Sequence, residues 1–411
     1  MNHIKRNITA LALCIIALGT SAQTLTLKQC LALAADHSLT LKQADAQVER
    51  ARVMQGTAWD LDRTELSLSQ DPTSGGSPDN ALALSQEIEF PTVYAARHSQ
   101  LKAETKAEKS RRNVTLQQLH SDIASAYWQL VYCKERITIL SAQDSVLTRY
   151  ADLADKRYKA GEARQLEALT AARLERENAM ELAAAKSDYA AGQQQLAALI
   201  GTDAAITPAD NTLSALDYSP TDFSFASTAE GELARDRVAV ADKALRVAKN
   251  GYAPSLSLAL KNQLVISSWD PYHENRARYD GGNFMGFEVG IGIPLFFGAT
   301  KAKVKAARSD RAIAQMEMQQ QQLTQQTEYK AALTRYNTAF SRMQYYEQKG
   351  AASATEIARL ATLEYENGEI SYIEYVSALQ ESIDSQLKRA DAINAYNQAV
   401  VALKRICGTA I

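Results

Sequence analysis

Proline and glycine are scarce in this chain, 8 and 18 of its 411 residues, while Ala, Gln, Glu, Leu and Lys are abundant. So little turn-forming material points to mostly long helix. Cysteine is also thin. Once a leader is set aside, Cys30, Cys133 and Cys407 remain, an odd number at wide spacing. That supports neither a disulfide framework nor a thiolate metal site, and the three read as small apolar packing residues. Net charge is only −2 with no basic block, which argues against a nucleic-acid partner. Beyond the leader there is no run of about 18 apolar residues, so no transmembrane helix is available and a membrane role would need a β-barrel. His37, His98, His120 and His273 are scattered without the paired spacing a metal needs, so no metal or other cofactor is expected. A Gly-rich phosphate loop and a serine nucleophile elbow are also missing. Nothing in the chain reads as an enzyme.

What is present begins with a secretory signal over residues 1–22. Lys5 and Arg6 form its charged start, 8–18 the apolar stretch, and Thr20-Ser21-Ala22 a small-residue cleavage site. Cys14 sits inside the apolar stretch without a lipobox, and Cys30 lies past the cleavage site, so no lipid anchor is expected.

The dominant feature is a duplication. Residues 157–201 lie over 364–408 without a gap, at a constant offset of 207 residues. Tyr158 falls on Tyr365, Gly161 on Gly368, Glu162 on Glu369, Glu167 on Glu374, Tyr189 on Tyr396 and Gly201 on Gly408. Upstream, the same offset places Ile88 on Leu295, Phe90 on Phe297 and Pro91 on Gly298. An ungapped match from a strand end to a helix end means that half of the protein was duplicated, so its architecture has pseudo-twofold internal symmetry. The first structural repeat is 23–201, a linker follows at 202–230, and the second repeat is 231–411.

Within the first repeat, 27–58 has helix-former composition with apolar residues at Leu31, Ala34, Leu41, Ala44, Val48 and Ala51. Leu66 and Leu68 then alternate with Ser67 and Ser69, a turn-rich stretch follows, and Leu82, Leu84, Gln86 and Ile88 alternate again, which predicts a β-hairpin over 64–90. From 93 to 160 there is neither Pro nor Gly, enough for a helix about 100 Å long. Gly161 breaks it, and a return helix over 162–200 runs about 58 Å. The second repeat follows the same programme: helix 233–250, hairpin 254–297, long helix 299–366, break at Gly368 and return helix 369–406.

Strands of roughly ten residues suit a tilted bilayer crossing. Leu256, Leu258, Leu260, Phe287, Val289 and Ile291 would face lipid, with Ser257, Ala259, Lys261, Glu288, Gly290 and Gly292 facing inward. Four strands cannot close, and open edges are not tolerated in lipid. Closure therefore requires further copies: two would give a plugged eight-stranded barrel, three a water-filled one of twelve. The return helix and the first helix of the other half add to about the length of one long helix, which favours three chains and twelve helical staves. The fold class expected is thus mainly α with a β-barrel part. A soluble periplasmic coiled-coil scaffold, with the alternating runs forming a small β domain, is the alternative of another class.

Carried on these residues, the chain resembles the TolC-like outer-membrane efflux channels, the outer-membrane factors. The resemblance covers nearly the whole mature chain. It rests on the two Tyr-x-x-Gly-Glu breaks at 158–162 and 365–369, on return helices ending at Gly201 and Gly408, and on the junctions Phe90-Pro91 and Phe296-Phe297-Gly298. It implies a homotrimer in the outer membrane of a Gram-negative bacterium, with a 12-stranded β-barrel continued by a 12-helix periplasmic α-barrel. Such a channel docks on a membrane-fusion adaptor and an inner-membrane pump. The segment 86–94, QEIEFPTVY, together with the short tail after Gly408, is similar to the branch that partners heavy-metal RND pumps, which implies heavy-metal cations as cargo. Multidrug efflux and type I secretion are the other cargoes open to the family.

The resemblance also assigns candidate site residues. Gly161 and Glu162, with Gly368 and Glu369, would sit at the hairpin tips where an adaptor docks, although glycine ends helices in any protein. Glu167 and Glu374 follow those tips, and three copies of each would form carboxylate rings that favour cations in the periplasmic aperture. Acids early in a helix also simply offset its dipole. Ser377 departs from a second acidic position found in some relatives, which puts a double ring in doubt.

Overall fold

The computed structural model describes residues 23–72, 78–265 and 283–409. The leader, Cys14 and His273 lie outside the described residues. In chain order the elements are β1 (Gln23–Leu25), α1 (Leu27–His37), α2 (Leu39–Met54), β2 (Glu65–Pro72), β3 (Pro78–Glu89), α3 (Pro91–Lys159), α4 (Gln165–Ile200), β4 (Ile206–Pro208), α5 (Ala229–Asn250), β5 (Ser255–Val265), β6 (Asn283–Gly292), α6 (Gly298–Tyr345), α7 (Ala351–Glu366) and α8 (Tyr372–Cys407).

These elements form two compact units. One comprises Met1–Gln43, Asn113–Ala229 and Gln322–Ile411, the other Ala44–Arg112 and Glu230–Gln321. The first holds the main core, in which Cys30, Ala34, Ile123, Tyr127, Leu130, Leu196, Ile200, Ile206, Ile393, Val400 and Leu403 are packed out of water. Burial pushes the Cys30 thiol up to about 11, consistent with a packing residue rather than a reactive one. The linker is more ordered than its sequence predicts. Its β4 pairs in parallel with β1, Gln23 opposite Ile206. Beyond β4 the chain lacks regular structure but is held by helix side chains. Asn397, fully buried, donates to Ser214 O at 2.9 Å and accepts from Leu216 N at 2.9 Å. The hydroxyls of Tyr396, Tyr336 and Tyr329 donate to the carbonyls of Leu216, Tyr218 and Thr221. Backbone groups left without a ladder are thereby satisfied from the side.

The helices differ from expectation in three places. The helix over 27–58 is two helices, broken at Ser38, with a 3₁₀ turn over Gln55–Trp59. The break makes room for Gly201: a Cβ there would lie 2.6 Å from His37 O, and its φ of +85° also suits glycine. The return helices begin later than expected, at Gln165 and Tyr372, because the left-handed turns after Gly161 and Gly368 each consume several residues. The second long helix stays helical from Gly298 to Glu366 but is not α-helical throughout. A π turn at Tyr346–Gly350 separates α6 from α7, where α3 runs its 69 residues unbroken. Gly350 O accepts from Ser385 Oγ at 3.1 Å, and a Cβ on Gly350 would press within 2.8 Å of the Tyr346 ring.

The second unit carries the sheet, four antiparallel strands in the order β2-β3-β5-β6. Here Asp236 of α5 is buried and accepts from Lys106 Nζ and Ser110 Oγ of α3, both at 2.7 Å. Arg112 of α3 meets Asp45 of α2 at 2.7 Å, and Arg311 of α6 meets Asp242 of α5 at 2.6 Å.

Candidate functional site

The sheet is the first candidate surface. Its register places Leu66, Leu84, Leu260 and Phe287 in one row across the four strands, and Ile88, Leu256 and Ile291 in another. Leu82 and Met285 flank Asn262 in a third, and Leu258 pairs with Val289. Side chains alternate along a strand, so all of these share one face. Glu65, Ser67, Ala83, Ser85, Ser255, Ser257, Ala259, Lys261, Gly286, Glu288, Gly290 and Gly292 share the other. Lys261 and Glu288 form an ion pair at 2.5 Å on that polar face. The six strand residues singled out in the sequence thus fall on one apolar face, joined there by Leu66, Leu82, Leu84, Ile88 and Met285. That face is open: Phe287 is 84 % exposed. The outer strands β2 and β6 have no further neighbour among the described residues.

The second candidate surface is the pair of hairpin tips in the first unit. Gly161 and Gly368 take left-handed φ of 78° and 74°. Their turns close alike: Glu162 N donates to Arg157 O and Glu369 N to Glu364 O, each at 2.8 Å. These bonds satisfy carbonyls that the helix end leaves open. Glu167 and Glu374 both follow in the first turn of the return helix, at its third residue.

Their local roles differ. Ser371 caps α8, and Glu374 Oε2 accepts from Ser371 N at 2.8 Å and from its Oγ at 2.7 Å, completing a capping box. The Ser371 backbone bond, and then its hydroxyl, hold the Glu374 carboxyl below its ordinary range. At the matching position of α4 the cap residue is Arg164, which makes no side-chain cap bond. Glu167 instead lines a small cavity with Tyr365 and Tyr372 of the second hairpin.

Around these carboxylates lies a cluster that sequence reasoning missed. Tyr365 and Tyr375 stack with centroids 4.7 Å apart, and Tyr150 of α3 meets Tyr375 edge-on at 5.2 Å. Leu147, Leu174, Ala361 and Val376 pack with them. Burial, then Tyr365 and then the Glu167 carboxylate, push the Tyr372 phenol up to about 12. Burial, then the Tyr375 hydroxyl, raises Tyr150 as well. The available signal was Tyr372 and Tyr375 one turn apart just after a helix start.

Among the described residues no group of three or more His, Cys, Asp or Glu side chains is gathered to hold a metal, and no helix is long and apolar enough to cross a membrane.

This architecture has counterparts. The family model described as outer membrane efflux protein matches residues 30–202 and 232–409. The chain belongs to the outer membrane efflux protein family. The two matched segments leave residues 203–231 unmatched between them. Similar solved structures share its fold. The CmeC outer membrane channel of Campylobacter jejuni is 17 % identical with a TM-score of 0.75, over 95 % of this chain and 90 % of that one. CusC, described in terms of transmembrane channel formation, is 16 % identical with a TM-score of 0.77, over 95 % and 94 %. The outer membrane protein VceC of Vibrio cholerae is 18 % identical with a TM-score of 0.72, over 93 % and 96 %. No curated protein matches in sequence. As a member of this family the chain is an outer-membrane efflux protein with a long periplasmic helical part. The soluble scaffold that the sequence left open is set aside by that membership.

Proposed function

We propose that three copies close their four-stranded sheets edge to edge into one twelve-stranded barrel, and that the assembly is a passive exit duct for efflux. The observation that carries this reading is the register of the sheet, which gathers the apolar side chains on one face, interrupted by Gln86 and Asn262, and leaves two edges without a neighbour among the described residues. An open edge in lipid is untenable, whereas closure by copies satisfies every strand and gives a barrel wide enough to hold water. The polar face, rich in Gly, Ser, Lys and Glu, then lines the lumen.

The tips support the rest of the pathway. In this reading Gly161, Glu162, Gly368 and Glu369 meet a periplasmic adaptor, and through it an inner-membrane pump of the RND type. Three copies of Glu374, joined by Glu167, put carboxylates at the entrance. Rings of this kind favour cations without binding them tightly enough to stop flow. Heavy-metal cations are the cargo this arrangement favours, with multidrug efflux and type I secretion as the other readings of the same duct.

Planar-bilayer conductance of the detergent-extracted protein tests the proposal. Stable, cation-preferring conductance is expected. A protein that enters the bilayer without conducting would contradict the open duct.

A further inference from the structure

The second repeat begins its long helix in an unfavourable way. The positive end of a helix macrodipole favours acids and disfavours cations. The first turn of α6 holds no acid, and Lys301, Lys303 and Lys305 fall within its first eight residues, all exposed. Among the described residues none of the three has an ion-pair partner. The fold itself does not demand this arrangement. At the matching positions the first repeat has Tyr94, Ala96 and His98, and the nearby Arg97 is neutralised by Glu89 at 2.8 Å. Lys301, the fourth residue of the helix, is within reach of that dipole, and an anion from outside the chain would offset it; Lys303 and Lys305 lie beyond the first turn.

The residues just before them indicate its kind. Leu295, Phe296 and Phe297 are exposed, Phe296 to 93 %, and they end the apolar run that β6 begins. Lys301 lies about 4.5 Å and Lys305 about 10 Å along the axis from the helix start. Lysine stems can lie along apolar surface while their ammonium groups reach polar surroundings. At the other end of the second hairpin, α5 finishes with exposed Lys249. Gly251 approaches Thr300 so closely that a Cβ there would lie 3.1 Å from its Cγ2, which brings this charge to the same level. Exposed aromatics followed within two turns by unpaired cations match the acyl-to-phosphate boundary of a bilayer leaflet. A free phosphate would have no use for the aromatics.

We propose that Lys301 and Lys305, which follow Phe297 at four-residue steps and share its face of the helix, form with Lys249 a collar below Phe296 and Phe297 that binds the anionic headgroups of phospholipids in the periplasmic leaflet. The proposal rests on the outer-membrane reading, since only there does this end of the sheet meet that leaflet.

Native mass spectrometry of the detergent-extracted full chain, titrated with phosphatidylglycerol or phosphatidylethanolamine, tests it. Phosphatidylglycerol should bind the more tightly, weaken with added salt, and lose roughly fivefold in affinity per lysine removed in K301Q, K301Q/K305Q and K249Q/K301Q/K305Q. Phosphatidylethanolamine binding should stay constant across the series. Glycerol phosphate, which has the headgroup without the chains, should not compete at equal concentration. Equal affinity for both lipids in the wild type, or unchanged phosphatidylglycerol affinity in the triple variant, overturns the collar while leaving the channel intact. Recovery of the wild type in the soluble fraction before any lipid is added overturns the outer-membrane reading, and the collar with it.

Discussion

Leu258 of β5 and Val289 of β6 are register partners on the apolar face of the sheet, and their neighbours Ser257 and Gly290 pair on the polar face. In the proposed barrel the two faces of this strand pair meet different media. Arginine at Leu258 or Val289 should cost about 2–4 kcal/mol if these positions lie near the bilayer midplane. Arginine at Ser257 should cost much less. Denaturant unfolding from lipid vesicles measures the difference, and equal costs on both faces would contradict a membrane wall.

Glu374→Gln separates two roles of one side chain. Glutamine keeps a capping box with Ser371, so α8 should retain its start while the aperture loses charge. The expected outcome is lower cation preference in planar-bilayer conductance with little change in stability. Unchanged selectivity would reduce Glu374 to a helix cap. Ser371→Ala does the converse, removing the cap at about 0.5–2 kcal/mol while leaving the carboxylate.

The capping bond also sets a pH dependence. Because the folded protein holds the Glu374 carboxyl below its ordinary value, the stabilisation is present above that value and is lost as pH falls through the lowered one. Protection of the Ser371 amide in hydrogen exchange should therefore hold from neutral pH to about 5 and decline below about 4. A decline already at pH 6 would contradict the assignment.

Asn397→Leu should destabilise the first unit by about 1–3 kcal/mol, since the Ser214 carbonyl and the Leu216 amide lose the partner they share. Thermal unfolding measures it. A neutral substitution would mean that the linker is held by its tyrosines alone.

Much of this architecture was legible in the sequence because it is local. Leu256, Leu258 and Leu260 alternate with period two, and Gly161 and Gly368 sit where only a left-handed residue closes the turn. The duplication then let each half be read against the other. The misses were tertiary. Ser38 breaks a helix of good composition because Gly201 approaches His37 from a distant segment. The π turn at Tyr346–Gly350 falls where the first repeat, with Gln143 in place of Gly350, stays α-helical. Tyr150 joins Tyr375 across more than two hundred residues, and spacing along a single helix does not reveal such a pair. The tip carboxylates were found by resemblance, but the bond that distinguishes Glu374 from Glu167 depends on Ser371 standing where the first repeat has Arg164.

The central claim is that strands from three chains close one barrel, and the most direct test is the native mass of the detergent-extracted mature protein recovered from the outer-membrane fraction. A trimer that resists dissociation on heating is the expected result. A monomer in the soluble periplasmic fraction would contradict it, because the apolar face of β2-β3-β5-β6 would then have no membrane to meet.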